Sequence, residues 1–207
     1  GGRKFWALAR SGLSTSLKGQ DEVNDYLLLA TSCDGTLATM ATPTTVRVVC
    51  NNTLQIAVDG ISQAVKVPHR SEFDPRAVKS QLGISVSQWN DFMYRMKALA
   101  ERKIDHHEAQ QYFQSVICGA EKPIDDPSKL PNYRALNKVQ KLYHGEGRGS
   151  HLVTAKDTAW GLLNAVTEYV DHDKRARSND TRIDSAWFGQ GAQLKQEALD
   201  AALALVS

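Results

Sequence analysis

The sequence has few of the residues that usually stabilise secreted domains or structural metal sites. Its 207 residues include three cysteines, Cys33, Cys50 and Cys118, and no two of them form a C-x-x-C pair. An odd number of cysteines without that spacing is not typical of a disulfide framework or of a structural zinc site. We therefore expect a reduced chain in the cytoplasm.

Long apolar runs and a strong net charge are also missing. No stretch approaches the roughly 18 consecutive apolar residues of a membrane-spanning helix, so we expect no membrane partner. The formal net charge is only +2, which permits binding to nucleic acid where basic residues cluster. Because 42% of the residues are hydrophobic and 23% are charged, we expect one ordinary globular domain.

The first half of the chain predicts an antiparallel sheet. Runs of β-branched, aromatic and apolar residues predict strands over 4–10, 25–32 and 36–46, and Asp34-Gly35 predicts the turn between the last two. Apolar residues at helical spacing predict a helix over 47–58 that packs on this meander. Helical patterns continue over 75–118. Residues 1–118 are therefore expected to form an α+β core.

The second half predicts helices joined by polar loops. Residues 119–132 contain three prolines and predict a surface loop. Helices are predicted over 133–143, 157–172 and 192–206, with a basic loop over 174–182. We expect residues 133–207 to pack on the core. The predicted fold class is α+β, with an N-terminal antiparallel β-meander packed on a helix, followed by a mainly helical C-terminal half.

Four segments carry a family resemblance. They are YLLLATSCDG at 26–35, VRVVCNNTL at 46–54, TAWGLLNAVTEYVDH at 158–172 and AWFG at 186–189. In this order, they resemble the phage/plasmid-like proteins of the family called domain of unknown function 932. The resemblance implies a protein of a mobile element and supplies no reaction or catalytic residue. It also implies that this chain is the C-terminal part of a longer member.

Basic residues cluster twice in the second half of the chain. Three of them share one face of the predicted helix 133–143, and two more lie in or after the glycine-rich loop 145–149. Glycines let backbone N–H groups approach an anion, so we expect this loop to contact phosphate. Lys174, Arg175, Arg177 and Arg182 form the second cluster, among several aspartates. The predicted nucleic-acid-binding residues are Arg134, Lys138, Lys141, Arg148, His151, Lys174, Arg175 and Arg177.

Both clusters also have an ordinary structural interpretation. The first matches a solvated helix face followed by a flexible turn. The second is surrounded by enough carboxylates to bring its local net charge near zero, as in a charge-mixed surface loop. The surrounding carboxylates are Asp171, Asp173, Asp180 and Asp184.

The predicted helix 157–172 has an apolar face and a polar face. Glu168 and His172 are four residues apart on the polar face, with Asp171 beside them. This spacing lets their side chains reach one metal ion, which is the alternative interpretation of this face. A solvated or interface face is the competing interpretation. Asn51 and Asn52 are poor helix formers within the predicted helix 47–58, and their role is open.

We predict a non-catalytic protein without a cofactor, because no triad, metal-ligand set or nucleotide loop is evident. By analogy of fold, the leading hypothesis is a single-stranded DNA-binding or strand-annealing protein of a mobile element, acting in recombination or replication as a ring or filament of identical chains. One alternative is a metal-dependent phosphodiester enzyme using Glu168, Asp171 and His172. Another is a protein-binding module directed against host defence. The four tryptophans are expected in the core.

Overall fold

The computed structural model describes residues 4–58, 61–62, 64–68, 74, 76 and 86–206. Its strands are β1 (Lys4–Leu17), β2 (Asp21–Ser32), β3 (Thr39–Arg47), β4 (Asn52–Gln55), β5 (Ala57–Val58), β6 (Ile61–Ser62) and β7 (Val65–Val67). Its helices are α1 (Val86–Glu101), α2 (His106–Cys118), α3 (Tyr133–Lys141), α4 (Ala159–Glu168), α5 (Asn179–Phe188) and α6 (Gln190–Leu203). A π-helical turn extends α3 over Leu142–Glu146, and another extends α4 over Tyr169–Asp173. None of the helices in these described stretches is long and apolar enough to cross a membrane.

Antiparallel pairing of neighbouring strands builds the main sheet. The strands follow the order β1-β2-β3-β4, and β7 pairs with the other end of β3. The helices of the second half then cover one side of this sheet. The prediction of an N-terminal antiparallel sheet followed by a mainly helical half is therefore confirmed.

The predicted helix over 47–58 is wrong. Arg47 pairs with Asn52 across a tight turn, so β4 folds back on β3 and the chain stays in the sheet. Asn51 occupies the left-handed region with a φ of +55°, which asparagine tolerates better than most residues. Asn51 is thus a turn residue and Asn52 is the first residue of β4, which accounts for the two poor helix formers at these positions. Val48 and Val49 lie exposed in the turn.

The first strand is longer than the predicted 4–10, because Ser11-Gly12 does not end it. A register shift between Arg10 and Ser14 marks a bulge, and Gly12 within it has a φ of +93°. Glycine permits that conformation without strain, so the strand continues to Leu17. Pro43 lies inside β3, between the part that pairs with β7 and the part that pairs with β4. A residue without an N–H is tolerated there because few ladder bonds are lost.

Helix α5 was not predicted, and its first four residues, 179–182, lie within the predicted basic loop 174–182. It begins after Ser178, whose hydroxyl accepts a hydrogen bond from the Thr181 N–H. The first two turns of α5 are polar, so apolar periodicity gave no signal, although a serine cap was present. Within the predicted helical stretch 75–118, residue 75 and residues 77–85 lie outside the described part of the chain. Helices α1 and α2 occupy 86–101 and 106–118, and a short non-helical connection separates them.

The main core lies between the sheet and helices α1, α2, α4 and α6. All ten residues of α4 are buried, so both its apolar and its polar faces are covered. Its apolar residues, among them Leu162 and Val166, join the central cluster. The polar face of α4 packs on β4, and the function of the chain must therefore be sought around, rather than on, that face.

Candidate nucleic-acid interface

The glycine-rich loop 145–149 binds a carboxylate of its own chain. The backbone N–H of Arg148 donates to both carboxylate oxygens of Glu168, at 3.1 and 3.0 Å. A Cβ on Gly147 would lie 2.6 Å from the Leu142 carbonyl oxygen, so the loop needs glycine there. One backbone N–H of the loop is therefore already occupied by an internal carboxylate, and the predicted contact with phosphate stays a prediction.

The carboxyl of Glu168 is buried, with 5% of the residue exposed. Burial raises its pKa above the usual range, while the Arg148 N–H and the nearby His172 and Arg148 charges act in the opposite direction. The residue lies at the interface between α4 and the loop. This position is suited to holding the loop in place.

Asp171 and His172, two of the three residues of the alternative metal site, have hydrogen-bond partners of their own. Asp171 accepts hydrogen bonds from the Thr53 N–H at 2.7 Å and from Lys195 Nζ at 2.8 Å. His172 donates from Nε2 to the Cys50 carbonyl oxygen at 2.9 Å. Across the part of the chain that the structure describes, no group of three histidine, cysteine or acidic side chains is placed to hold a metal ion.

A buried ion pair ties the sheet to the loop before α4. Arg47 donates from Nε and Nη2 to the Asp21 carboxylate, with the shortest distance 2.7 Å, and both side chains are almost fully buried. Thr154 and the indole N–H of Trp160 donate to the same carboxylate, at 2.8 and 3.0 Å. Arg47 also reaches the Gly149 carbonyl oxygen at 3.3 Å. This network fixes the glycine-rich loop against the end of β3.

A second buried network joins β4 to the last helix. The Lys195 ammonium donates to the Thr53 hydroxyl and to Asp171, each at 2.8 Å. The Thr53 hydroxyl also accepts from the Trp187 indole at 3.2 Å and donates to Asp171 at 3.1 Å. Sequence reasoning missed Lys195, because a single lysine in an amphipathic helix carries no signal of burial.

Asp25 is a buried carboxyl without a hydrogen-bond partner among the described residues. It lies on β2 opposite Thr45 of β3, with 1% of the residue exposed. Burial raises its pKa above the ordinary value of about 4, against the smaller opposing effects of the nearby Ser11 side chain and the Tyr26 backbone N–H. A raised folded-state pKa stabilises the protein most at low pH, and this contribution is lost as the pH rises from about 4 through the folded-state pKa.

We expect Asp25→Asn to be more stable than the parent protein at pH 7, by about 1 kcal/mol, because a neutral amide costs less to bury than a charge. Urea unfolding at several pH values between 4 and 8 measures the difference. The gain should shrink towards pH 4, where the parent carboxyl is protonated. An equal difference at every pH would show that charge burial is not its cause.

The first basic cluster is only partly available to a ligand. Lys138 lies 3.8 Å from Glu146 and 3.7 Å from Asp173, which compensate its charge. Arg134 and Lys141 are exposed on α3, and Arg148 and His151 are exposed beside it. The contact between Lys138 and Asp173 brings α3 next to the segment that carries the second cluster.

The second basic cluster lines an open groove of about 680 Å³. We call it the basic groove, and its cations are Lys174, Arg175, Arg177 and Arg182. Thr181, Ser185 and Gln190 add hydroxyl and amide groups to its wall. Arg182 is held in place because one of its terminal nitrogens donates to the His172 carbonyl oxygen at 2.9 Å.

Three of the four aspartates around this cluster pair with residues outside it. Asp171 binds Lys195 and Thr53, Asp173 lies beside Lys138, and Asp184 pairs with Lys4 of β1. Asp180 is exposed in the first turn of α5. Within the described residues, no ion pair involves Lys174, Arg175 or Arg177. The groove is therefore more basic than the local sequence suggests.

Three of the four tryptophans are buried, as expected, and one is not. Trp89, Trp160 and Trp187 are at most 9% exposed, whereas Trp6 on β1 is 46% exposed. Next to it, Phe5 is 56% exposed and lines an apolar concavity of about 280 Å³ on the outer face of the sheet. Cys50 is buried, and burial raises the pKa of its thiol to about 11, in agreement with a core residue.

Comparison with known proteins identifies a family for this chain. No curated protein and no solved structure gave a significant match to the chain. A family model described as "Domain of unknown function (DUF932)" matches residues 1–187, which include β1 to β4, α4 and most of α5. The chain therefore belongs to the family of domain of unknown function 932.

Proposed function

We propose that the chain binds single-stranded DNA in the basic groove, as a non-catalytic binding or strand-annealing protein of a phage or plasmid. The observation that carries the proposal is the separation of charge around α5. Four cations line one groove, while three of the four neighbouring aspartates face other elements. Groups of this kind bind the phosphate backbone regardless of sequence.

The shape of the groove supports a flexible anionic ligand. It is open to solvent on the surface formed by the end of α4 and by α5, and its wall contains hydroxyl and amide groups beside the cations. Polar groups of these types commonly contact phosphate and sugar oxygens. We extend the proposal to several copies on one strand, as a ring or filament, which electron microscopy with and without DNA would reveal.

The first test is fluorescence anisotropy of a labelled single-stranded oligonucleotide at several salt concentrations, beside duplex of equal length. We expect preferential binding to the single strand and affinity that falls with salt. The variant Lys174→Ala/Arg175→Ala/Arg177→Ala should weaken binding at least tenfold and reduce the salt slope by about 0.7 for each phosphate that is no longer neutralised. Each of these side chains is surface-accessible, so the fold should be unchanged.

The matched control is Arg134→Ala/Lys141→Ala on α3, which also removes exposed cations but leaves the groove intact. We expect a smaller loss of affinity for this variant. If the loss of affinity per cation removed were the same in the two variants, the DNA would bind to the whole basic surface rather than to the groove. If the folded protein does not bind single-stranded DNA at low salt, the proposal is wrong.

A further inference from the structure

The edge strand β1 carries an exposed aromatic side chain that contacts α5, the helix that contributes Thr181, Arg182 and Ser185 to the basic groove. Trp6 is 46% exposed, and β1 pairs only with β2 in the described part of the chain. Lys4 lies two residues away on the same face of the strand, because side chains alternate between faces. The exposed part of the Trp6 side chain is therefore flanked by Lys4, whose ammonium group pairs with Asp184 of α5.

Trp6 is held in position by the core. Its ring centroid lies 4.5 Å from that of Trp187, with an interplanar angle of 72°. The indole of Trp187 is in turn fixed by its hydrogen bond to the Thr53 hydroxyl, and its carbonyl oxygen accepts from Gln55 at 2.9 Å. An exposed ring supported in this way loses little conformational entropy when a ligand stacks on it.

Helix α5 connects this ring to the basic groove. Trp187 and Asp184 lie on the side of α5 that contacts β1, whereas Thr181 and Ser185 lie on the side that lines the groove. A helix with its side chains is about 10–12 Å across. Single-strand binding sites on other folds extend over about 4–16 nucleotides, so one strand can reach both surfaces.

We propose that an unpaired base stacks on Trp6 while the phosphates of the same strand lie in the basic groove. This inference rests on the function proposed above and adds the contact that distinguishes single strands from duplex. Bases in a duplex are already stacked within the helix, whereas an unpaired base has a free face. The cations of the groove favour a nucleic acid over an uncharged partner at this edge.

The test uses intrinsic fluorescence, because Trp6 is the most exposed of the four tryptophans. Unlabelled oligodeoxythymidylate should quench the emission of the parent protein, and Trp6→Leu should lose most of this quenching. Anisotropy should show an affinity about tenfold lower for Trp6→Leu. For an abasic oligonucleotide of equal length, the parent protein and Trp6→Leu should bind alike, because the phosphates remain and the base is gone.

Phe5→Leu is the matched control, since Phe5 is the adjacent exposed aromatic residue on the opposite face of β1. We expect binding close to that of the parent protein. Salt-dependent binding without quenching, or equal losses for the two variants, would overturn the stacking contact while leaving the groove proposal intact. A Trp6→Leu protein with an altered oligomeric state in light scattering would assign this edge to a second copy of the chain instead. Absence of any binding would instead contradict the groove proposal.

Discussion

Asp21→Ala is expected to lower the free energy of unfolding by about 3–5 kcal/mol. The Asp21 carboxylate is fully buried and accepts hydrogen bonds from Arg47, Thr154 and Trp160. Removing it leaves the Arg47 guanidinium buried without its counter-charge, and two further donors lose their acceptor. Urea unfolding followed by circular dichroism measures the change.

Two variants complete this test. Asp21→Asn keeps an acceptor for Thr154 and Trp160, so it should fold even if the alanine variant does not, and it should show an intermediate loss. Glu22→Ala is the matched control at the next position, since the exposed Glu22 pairs with Arg10 only at 4.0 Å and should change stability by less than about 1 kcal/mol. Similar losses for Asp21→Ala and Glu22→Ala would show that the buried network is not a major source of stability.

Lys195→Met should be the second most damaging change, with a loss of about 3 kcal/mol or more. Methionine keeps much of the aliphatic volume, but the buried carboxylate of Asp171 loses its cation at 2.8 Å. The Thr53 hydroxyl, which accepts from Lys195, also loses a donor. Thermal and urea unfolding of the purified variant measure the effect.

A double variant identifies the cause of that loss. Asp171→Asn removes the orphaned charge and still offers an oxygen to the Thr53 N–H, so Asp171→Asn/Lys195→Met should be more stable than Lys195→Met alone. Gln196→Ala serves as control at the next position, where the half-buried side chain donates a hydrogen bond to the exposed Asp200 at 2.8 Å. A double variant less stable than the single one would contradict the charge explanation.

The fold class was predictable because, over most of the chain, the spacing of the apolar residues and the residues that form turns indicate the same elements. Alternating and apolar runs predicted β2 and β3, and the caps Asp105 and Thr158 mark the beginnings of α2 and α4. The error at 47–58 arose because Val49, Cys50, Leu54 and Val58 match a helical spacing by chance. The stronger local signal was Asn51-Asn52, which favours a turn between β-branched strands.

The site was less predictable, because charge pairing over long sequence distances decides it. The sequence places four aspartates among the basic residues of 171–184, and only the folded chain shows Asp184 paired with Lys4 and Asp171 paired with Lys195. In the same way, the carboxylate that fills the glycine-rich loop comes from Glu168, 20 residues away from Arg148. Composition and spacing contain no information about such partners.

Helix α6 belongs to the core of this domain, although it lies beyond the stretch that matches the family. The family match stops at residue 187, before the helix begins. Yet Lys195 neutralises Asp171, and the Ala198 carbonyl oxygen accepts the Tyr112 hydroxyl at 2.8 Å in the centre of the protein. The cooperative folding unit is therefore longer than the matched stretch, and a fragment cut at that limit would lack the helix that closes its core.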